Sequence, residues 1–479
     1  MVNERLGKQK RDTFEPELDM SLNKLSVVPA DPGRQEGAPK AAERTSKVHE
    51  RLTKQNPEAV EPALAETLYN LSISYNELRR PKDALKAAEQ ASEINLGLAK
   101  KNADDVEKGL GMSLHYLSIL YIQLGRSEEA VKAAERAVEI RERLAKQSPD
   151  GFEPDLAISL DNLGSIYAEM GRREEALKAA ERAVRTRERL AKQNRDAFEP
   201  DLADSLNNLS LRYCELGRRD EAFEPAKRAV EIYQRLVKRN PDAFESDLAD
   251  SLNNLSLHYS DLARLHEALK AAERAVEIRE RLAKQNPDGE LSLADSLNNL
   301  GNIYWWLGSL HEALKAAERA VQIRERLAKQ NPDGFGLDLA YSLDNLGGVY
   351  WWLGDLNKAQ WAAERALEVL DRLAKRNPDA FEPGLAAVLR ALGAIRCEAN
   401  PRQAVCAFRR GVETLRRLFL LQPNVYARQM AELQQGYLQS CKLSAQEPDV
   451  DLLAPIAGAM QSTPRPSCSP DPGCEVCAT

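Results

Sequence analysis

The chain has 479 residues, with 67 Lys and Arg against 74 Asp and Glu, a net charge of -7 and a pI near 5.6. That balance argues against a phosphate-binding surface, because nucleic-acid binders display a basic patch. No stretch approaches the roughly 18 apolar residues that span a bilayer, so neither nucleic acid nor a membrane is expected as partner. MVNERLGKQKRD lacks the apolar segment of a signal peptide and the seven cysteines form no regular framework, which together read as a cytoplasmic chain with reduced thiols.

A leucine recurs at Leu18, Leu64, Leu110, Leu156, Leu202, Leu248, Leu293, Leu339 and Leu385, in steps of 46 residues with a single step of 45. A fixed period of this size means a repeat array in which each unit buries a seam against its neighbours. In chain order, residues 1–56 keep the register but carry Pro29, Pro32 and Pro39, and are expected to be a degenerate repeat, partly disordered. Its first helix should be frayed, and a second helix can restart near Lys40 and run to Lys54. Residues 57–423 hold eight repeats. Within each, apolar residues at helical spacing precede a Gly-containing break and an alanine-rich second face, as in Leu297, Leu300, Gly301 and Tyr304 followed by Ala313, Ala317 and Ala320. The stretches between repeats, NPDAFEPDLA or close to it, read as connecting loops, each pinned by a phenylalanine, with Glu-Pro-Asp opening the next helix. Pro225, inside the second helix of the fourth repeat, is expected to kink it. Residues 424–461 read as C-terminal capping helices and 462–479 as a disordered Pro/Cys tail.

The pattern Leu297, Leu300, Gly301, Tyr304, Ala313 and Ala317 resembles the tetratricopeptide repeat, and the Leu-Asn-Asn-Leu run narrows the likeness to the kinesin-light-chain type. The resemblance implies an all-α, right-handed α-solenoid of helix-turn-helix repeats that binds a protein or peptide in a concave groove lined by the first helices. Two departures, the long period and the late proline at Pro332, imply a longer second helix and a longer connecting loop.

With each repeat's leucine counted as position zero, positions two, six and thirteen fall opposite the packing face of the first helix. Position six reads Asn162, Asn208, Asn254, Asn299 and Asn345 through the third to seventh repeats. Such a row either offers paired donors and acceptors to the backbone of an extended peptide or links adjacent first helices, and the spacing fits both. Position two gives Asp204, Asp250 and Asp295. Position thirteen gives Glu215 and Asp261, then Trp306 and Trp352. The carboxylates predict a preference for basic residues, and the tryptophans either form an apolar anchor pocket or serve local packing. The candidate site is therefore peptide-binding, for a basic ligand with an apolar anchor. No Gly-rich phosphate loop and no clustered nucleophile and base occur, so no catalytic residue and no cofactor are assigned. Cys474 and Cys477 supply two thiolates without two further ligands, so no metal site is assigned. The alternative function is a sensor or regulatory arm of a signalling system whose catalytic component is a separate chain.

Overall fold

The computed structural model describes residues 37–53, 57–99, 104–286 and 289–461. The described residues form nineteen α-helices and no strand. The chain divides into two compact units, Met1–Pro241 and Asp242–Thr479.

In the first unit, α1 (Gly37–Thr53) is followed by four hairpins: α2 (Pro57–Glu77) with α3 (Pro81–Ala99), α4 (Asp104–Gln123) with α5 (Ser127–Gln147), α6 (Pro149–Glu169) with α7 (Arg173–Gln193), and α8 (Arg195–Glu215) with α9 (Arg219–Arg239). The second unit holds α10 (Pro241–Asp261) with α11 (Leu265–Gln285), α12 (Glu290–Trp306) with α13 (Leu310–Gln330), α14 (Gly336–Trp352) with α15 (Leu356–Ala374), and α16 (Pro378–Ala399) with α17 (Pro401–Leu421). α18 (Pro423–Ser444) and α19 (Val450–Gln461) close that stack. Each unit is thus an all-α stack of hairpins. α1 begins three residues before the expected restart, with Pro39 in its first turn, where a missing amide costs nothing. The first helix expected before it, and the Pro/Cys tail, lie outside the described residues.

The hairpin interface follows the alternation of small residues. A Cβ placed on Gly164, Gly301 or Gly347 would sit 3.3–3.5 Å from the carbonyl oxygen of Ala176, Ala313 or Ala359, so the place takes only a small residue. Ser72 and Ser118 fill the place in earlier repeats by turning the hydroxyl onto a carbonyl of their own helix, 2.6 Å away. The turn residues Gly125, Gly171, Gly217, Gly308 and Gly354 have φ between 71° and 78°, a left-handed conformation that favours glycine.

One expectation is corrected. Several connectors are helical and not loops: α6 starts at Pro149, one residue after α5 ends, and runs through Phe152 and Pro154, whereas residues 331–335 form a turn before α14. The extra length over a shorter repeat is taken up by two 21-residue helices, with a three-residue turn inside the hairpin and a single residue, Asn194, before the next. Proline at the first position is free of penalty, and Pro154, sixth in its helix, forgoes only one amide bond. Phe152 and Phe381 pack against the core from within helices, and Phe335 does so from the turn that precedes α14. α9 runs unbroken through Pro225, whose buried ring takes a packing place. Charges on the outer face pair between helices, as in Arg189 with Glu153 at 2.7 Å and Arg228 with Glu188 at 2.7 Å, as well as along one helix.

Candidate functional site

What joins one repeat to the next is a polar rung. At position 31, on the inner side of the second helix, stand Arg141, Arg187, Arg279 and Arg324, each only 4–7% exposed. Each guanidinium donates to the position-three serine of the following repeat: Arg141 to Ser159, Arg187 to Ser205, Arg279 to Ser296, and Arg324 to Ser342 at 2.6 Å. Each also donates to a backbone carbonyl of that next first helix, such as Asp338 at 2.6 Å. Earlier rungs use Asn95 with Ser113 at 3.1 Å and His49 with Thr67 at 3.2 Å, so even the degenerate N-terminal repeat keeps its rung. A buried guanidinium needs counter-charge. Arg187 finds it in Asp161 (2.5 Å), Arg279 in Asp250, and Arg324 in Asp295.

This network decides where the candidate binding residues stand. Asp250 and Asp295 are about half exposed, yet each carboxylate is paired with a rung arginine, and Asp204 accepts the hydroxyl of Tyr233. The repulsion expected among stacked aspartates is therefore relieved inside the chain, not held open for a ligand. Glu215 accepts from Arg212 at 2.9 Å, and Asp261 is exposed on α10. Of the asparagine row, Asn162 donates to Ser118 (2.7 Å) and Asn299 to Ser256 (2.7 Å), both on the preceding first helix. Asn208 hydrogen-bonds the Asp161 carboxylate. These three staple adjacent first helices. Asn254 and Asn345 are half-buried, and Asn345 lines a cavity.

That cavity, about 880 Å³, lies wholly in the second unit, on the face made by the successive first helices α12, α14, α16 and α18. Trp305, Trp351 and Trp352 form one wall. Trp352 meets Trp305 and Trp351 edge-to-face, with centroids 5.8 Å apart in both cases, and Trp306 leans on Trp305 at 6.4 Å. Trp306 and Trp352 remain 40% and 46% exposed, a large apolar area for a surface facing water. The opposite wall is α18, with Gln429, Glu432 and Gln435. Phe408 forms part of the lining, wedged between Gly393 and Gly436, where any Cβ would meet its ring within 2.8 Å. Asp344, at position five of its repeat, lines the cavity, and burial pushes its carboxyl up while Arg390 opposes that shift. Sequence reasoning reached Asn345 and Trp352 here, and Trp306 beside the wall, but missed Asp344 and the α18 wall. The signal for Asp344 was present: it shares its position with Asp161 but not that residue's partners.

Models of the tetratricopeptide repeat match residues 110–150, 156–195, 202–242, 248–288 and 292–372, together just over half of the chain. The chain belongs to the tetratricopeptide repeat family. Among solved structures, it is similar to BtubC (BKLC) from P. vanneervenii, with 28% identity over 52% of this chain and 92% of that one and a TM-score of 0.43. It is also similar to a Podosopora anserina putative kinesin light chain with nearly identical TPR-like repeats (22% identity, 47% and 98% covered, TM-score 0.38) and to the apo form of the quorum sensor NprR from B. thuringiensis (16%, 81% and 99%, 0.48). No protein with a curated description matches. Tetratricopeptide repeats of this kind serve protein-interaction or regulatory roles. Among the described residues no helix is long and apolar enough to cross a membrane.

Proposed function

We propose that the chain is a non-enzymatic interaction scaffold whose second unit binds an extended peptide, or an extended segment of a partner protein, along its first-helix face. The observation that carries this reading is the tryptophan wall: four indoles gathered in two adjacent repeats, two of them largely exposed, beside a cavity of ligand size. Trp306 and Trp352 supply the apolar anchor. Asn254, Asn299 and Asn345 border the path, with Asp250, Asp261 and Asp295 at its edge, and Asn162, Asn208, Asp204 and Glu215 stand at the same places on the first unit's own face. The preference for basic residues rests less on the paired aspartates than on the cavity carboxylates Asp344, Glu398 and Glu432. An array of twelve-residue peptides, varied in charge and in one aromatic position and probed with the intact chain, tests it. Basic peptides with an aromatic residue should be retained, and a Trp306→Ala, Trp352→Ala double variant should bind them at least about 30-fold more weakly, as for a buried aromatic anchor. Retention that ignores both peptide charge and the double variant would refute the reading.

A further inference from the structure

Asp344 is a rung carboxylate that has lost its rung. In the third repeat the same position is Asp161, whose carboxylate is held by Arg187 at 2.5 Å and by the hydroxyl of Ser205 at 2.8 Å. The residues that would hold Asp344 by the same register are Leu370 and Val388, both buried in one apolar cluster, and neither can donate a hydrogen bond. Among the described residues Asp344 makes no hydrogen bond or ion pair; only Arg390 acts on it through space. Arg390 is itself directed to Glu432 (3.4 Å), which also takes Arg428 at 3.1 Å. Glu398 is occupied by the indole N–H of Trp351 at 3.0 Å. The cavity thus contains three carboxylates against two guanidinium groups; both guanidinium groups reach Glu432, Glu398 has the indole N–H, and Asp344 alone has neither an ion pair nor a hydrogen bond.

A desolvated, unpaired carboxylate is costly to keep, and a cation entering the cavity would relieve that cost while its aliphatic stem and π-seeking head lie against indole faces. We infer that this cavity receives one cationic side chain of the ligand, the guanidinium of arginine or the ammonium of lysine, with Asp344 as counter-ion and Trp305, Trp351 and Trp352 as the wall along its stem. The inference deepens the peptide-binding reading and rests on it only for the source of the side chain.

The probe is Nα-acetyl-arginine N-methylamide, set against its neutral isostere Nα-acetyl-citrulline N-methylamide, titrated into the full chain while tryptophan fluorescence and heat are followed. The arginine compound should bind at least about 10-fold more tightly than the citrulline compound. Asp344→Asn should bring arginine down to the citrulline level and leave citrulline unchanged, Trp352→Ala should weaken both, and Trp361→Ala, on α15 outside the cavity, should change neither. Equal binding of the two compounds, discrimination that survives in a folded Asp344→Asn chain, or no binding of the arginine compound at all overturns the inference. The two readings fail separately. Peptides retained on the array but indifferent to an arginine-to-citrulline exchange would defeat this inference alone. Arginine-amide binding through Asp344 with no peptide retained would defeat the peptide reading alone.

Discussion

The rung between the sixth and seventh repeats can be converted into the one the protein itself uses a repeat later. Arg324 and Ser342 are a buried polar pair; Leu370 and Val388 stand at the same two positions one repeat on, and both are buried. Replacing Arg324 by Leu alone removes charge-assisted hydrogen bonds to Ser342, to Asp295 and to the Asp338 carbonyl, while Ser342 keeps Asn298 at 2.7 Å and Asp295 stays half in water. The lost charge-assisted bonds amount to about 2–4 kcal/mol. Ser342→Val alone leaves a buried guanidinium one acceptor short and Asn298 without its partner, again about 2–4 kcal/mol. The double variant rebuilds an apolar rung, so its cost should fall below the sum of the singles by about 1–2 kcal/mol. Urea unfolding followed by tryptophan fluorescence suits the measurement, because all five tryptophans, from Trp305 to Trp361, lie in the two repeats flanking this rung. If the single effects simply add, to within about 0.5 kcal/mol, the rung is not an energetic unit and the reasoning fails.

Other substitutions probe single features. Asp344→Asn should raise stability by about 1–3 kcal/mol where the native carboxyl is ionised; burial raises that carboxyl, so wild-type stability is greatest below the unfolded carboxylate range and is lost as pH rises through the native one, and the variant's urea midpoint should lack that loss. Gly436→Ala places a Cβ 2.3 Å from the buried Phe408 ring and should cost about 1–3 kcal/mol, much of it recovered when Phe408 becomes Leu; an unchanged melting temperature would contradict the packing argument. Ala263 has φ 54° where five other turns use glycine, so Ala263→Gly should stabilise by about 0.5–1 kcal/mol, and a lower melting temperature would count against it.

The hairpins, the small-residue contacts at Gly164, Gly301 and Gly347 and the tyrosine column were legible because they repeat at one period and one helical phase. Tyr121, Tyr167 and Tyr350 pack as expected, but their hydroxyls also reach Glu89, Glu135 and Glu318 of the preceding second helix, and burial reinforced by that bond pushes Tyr121 and Tyr167 up to about 12. The rung arginines were hidden by their surroundings: in Ile-Arg-Glu-Arg-Leu, Arg141 is buried and Arg143 exposed, and composition does not distinguish them. Only the paired serine at position three, 18 residues on, gives the inner one away. The helical connectors, such as Pro149 to Pro154, were misread because two prolines in ten residues suggest a loop, although a helix's first turn tolerates the first and one lost bond accommodates the second. The cavity wall from α18 could not be read at all, since that helix stands outside the period.

Asp344 shows how a departure from the period creates a site, and the converse substitution tests this. Leu370→Arg with Val388→Ser would restore the missing rung, placing a guanidinium and a hydroxyl where Arg187 and Ser205 hold Asp161. Both replaced residues are buried, so either change alone would strand a polar group or leave a gap, whereas the two together have a receiver in the waiting carboxylate. The expected chain is folded, loses the pH-dependent penalty of Asp344, and no longer distinguishes the arginine from the citrulline compound, because the counter-ion is now occupied from within. The indoles of Trp305 and Trp352 are untouched, so weak binding shared by both compounds should remain. If the doubly substituted chain keeps its helical circular dichroism and still prefers arginine by about 10-fold, the charge that selects the ligand is not that of Asp344. Glu398 or Glu432 would then be the carboxylate to replace next.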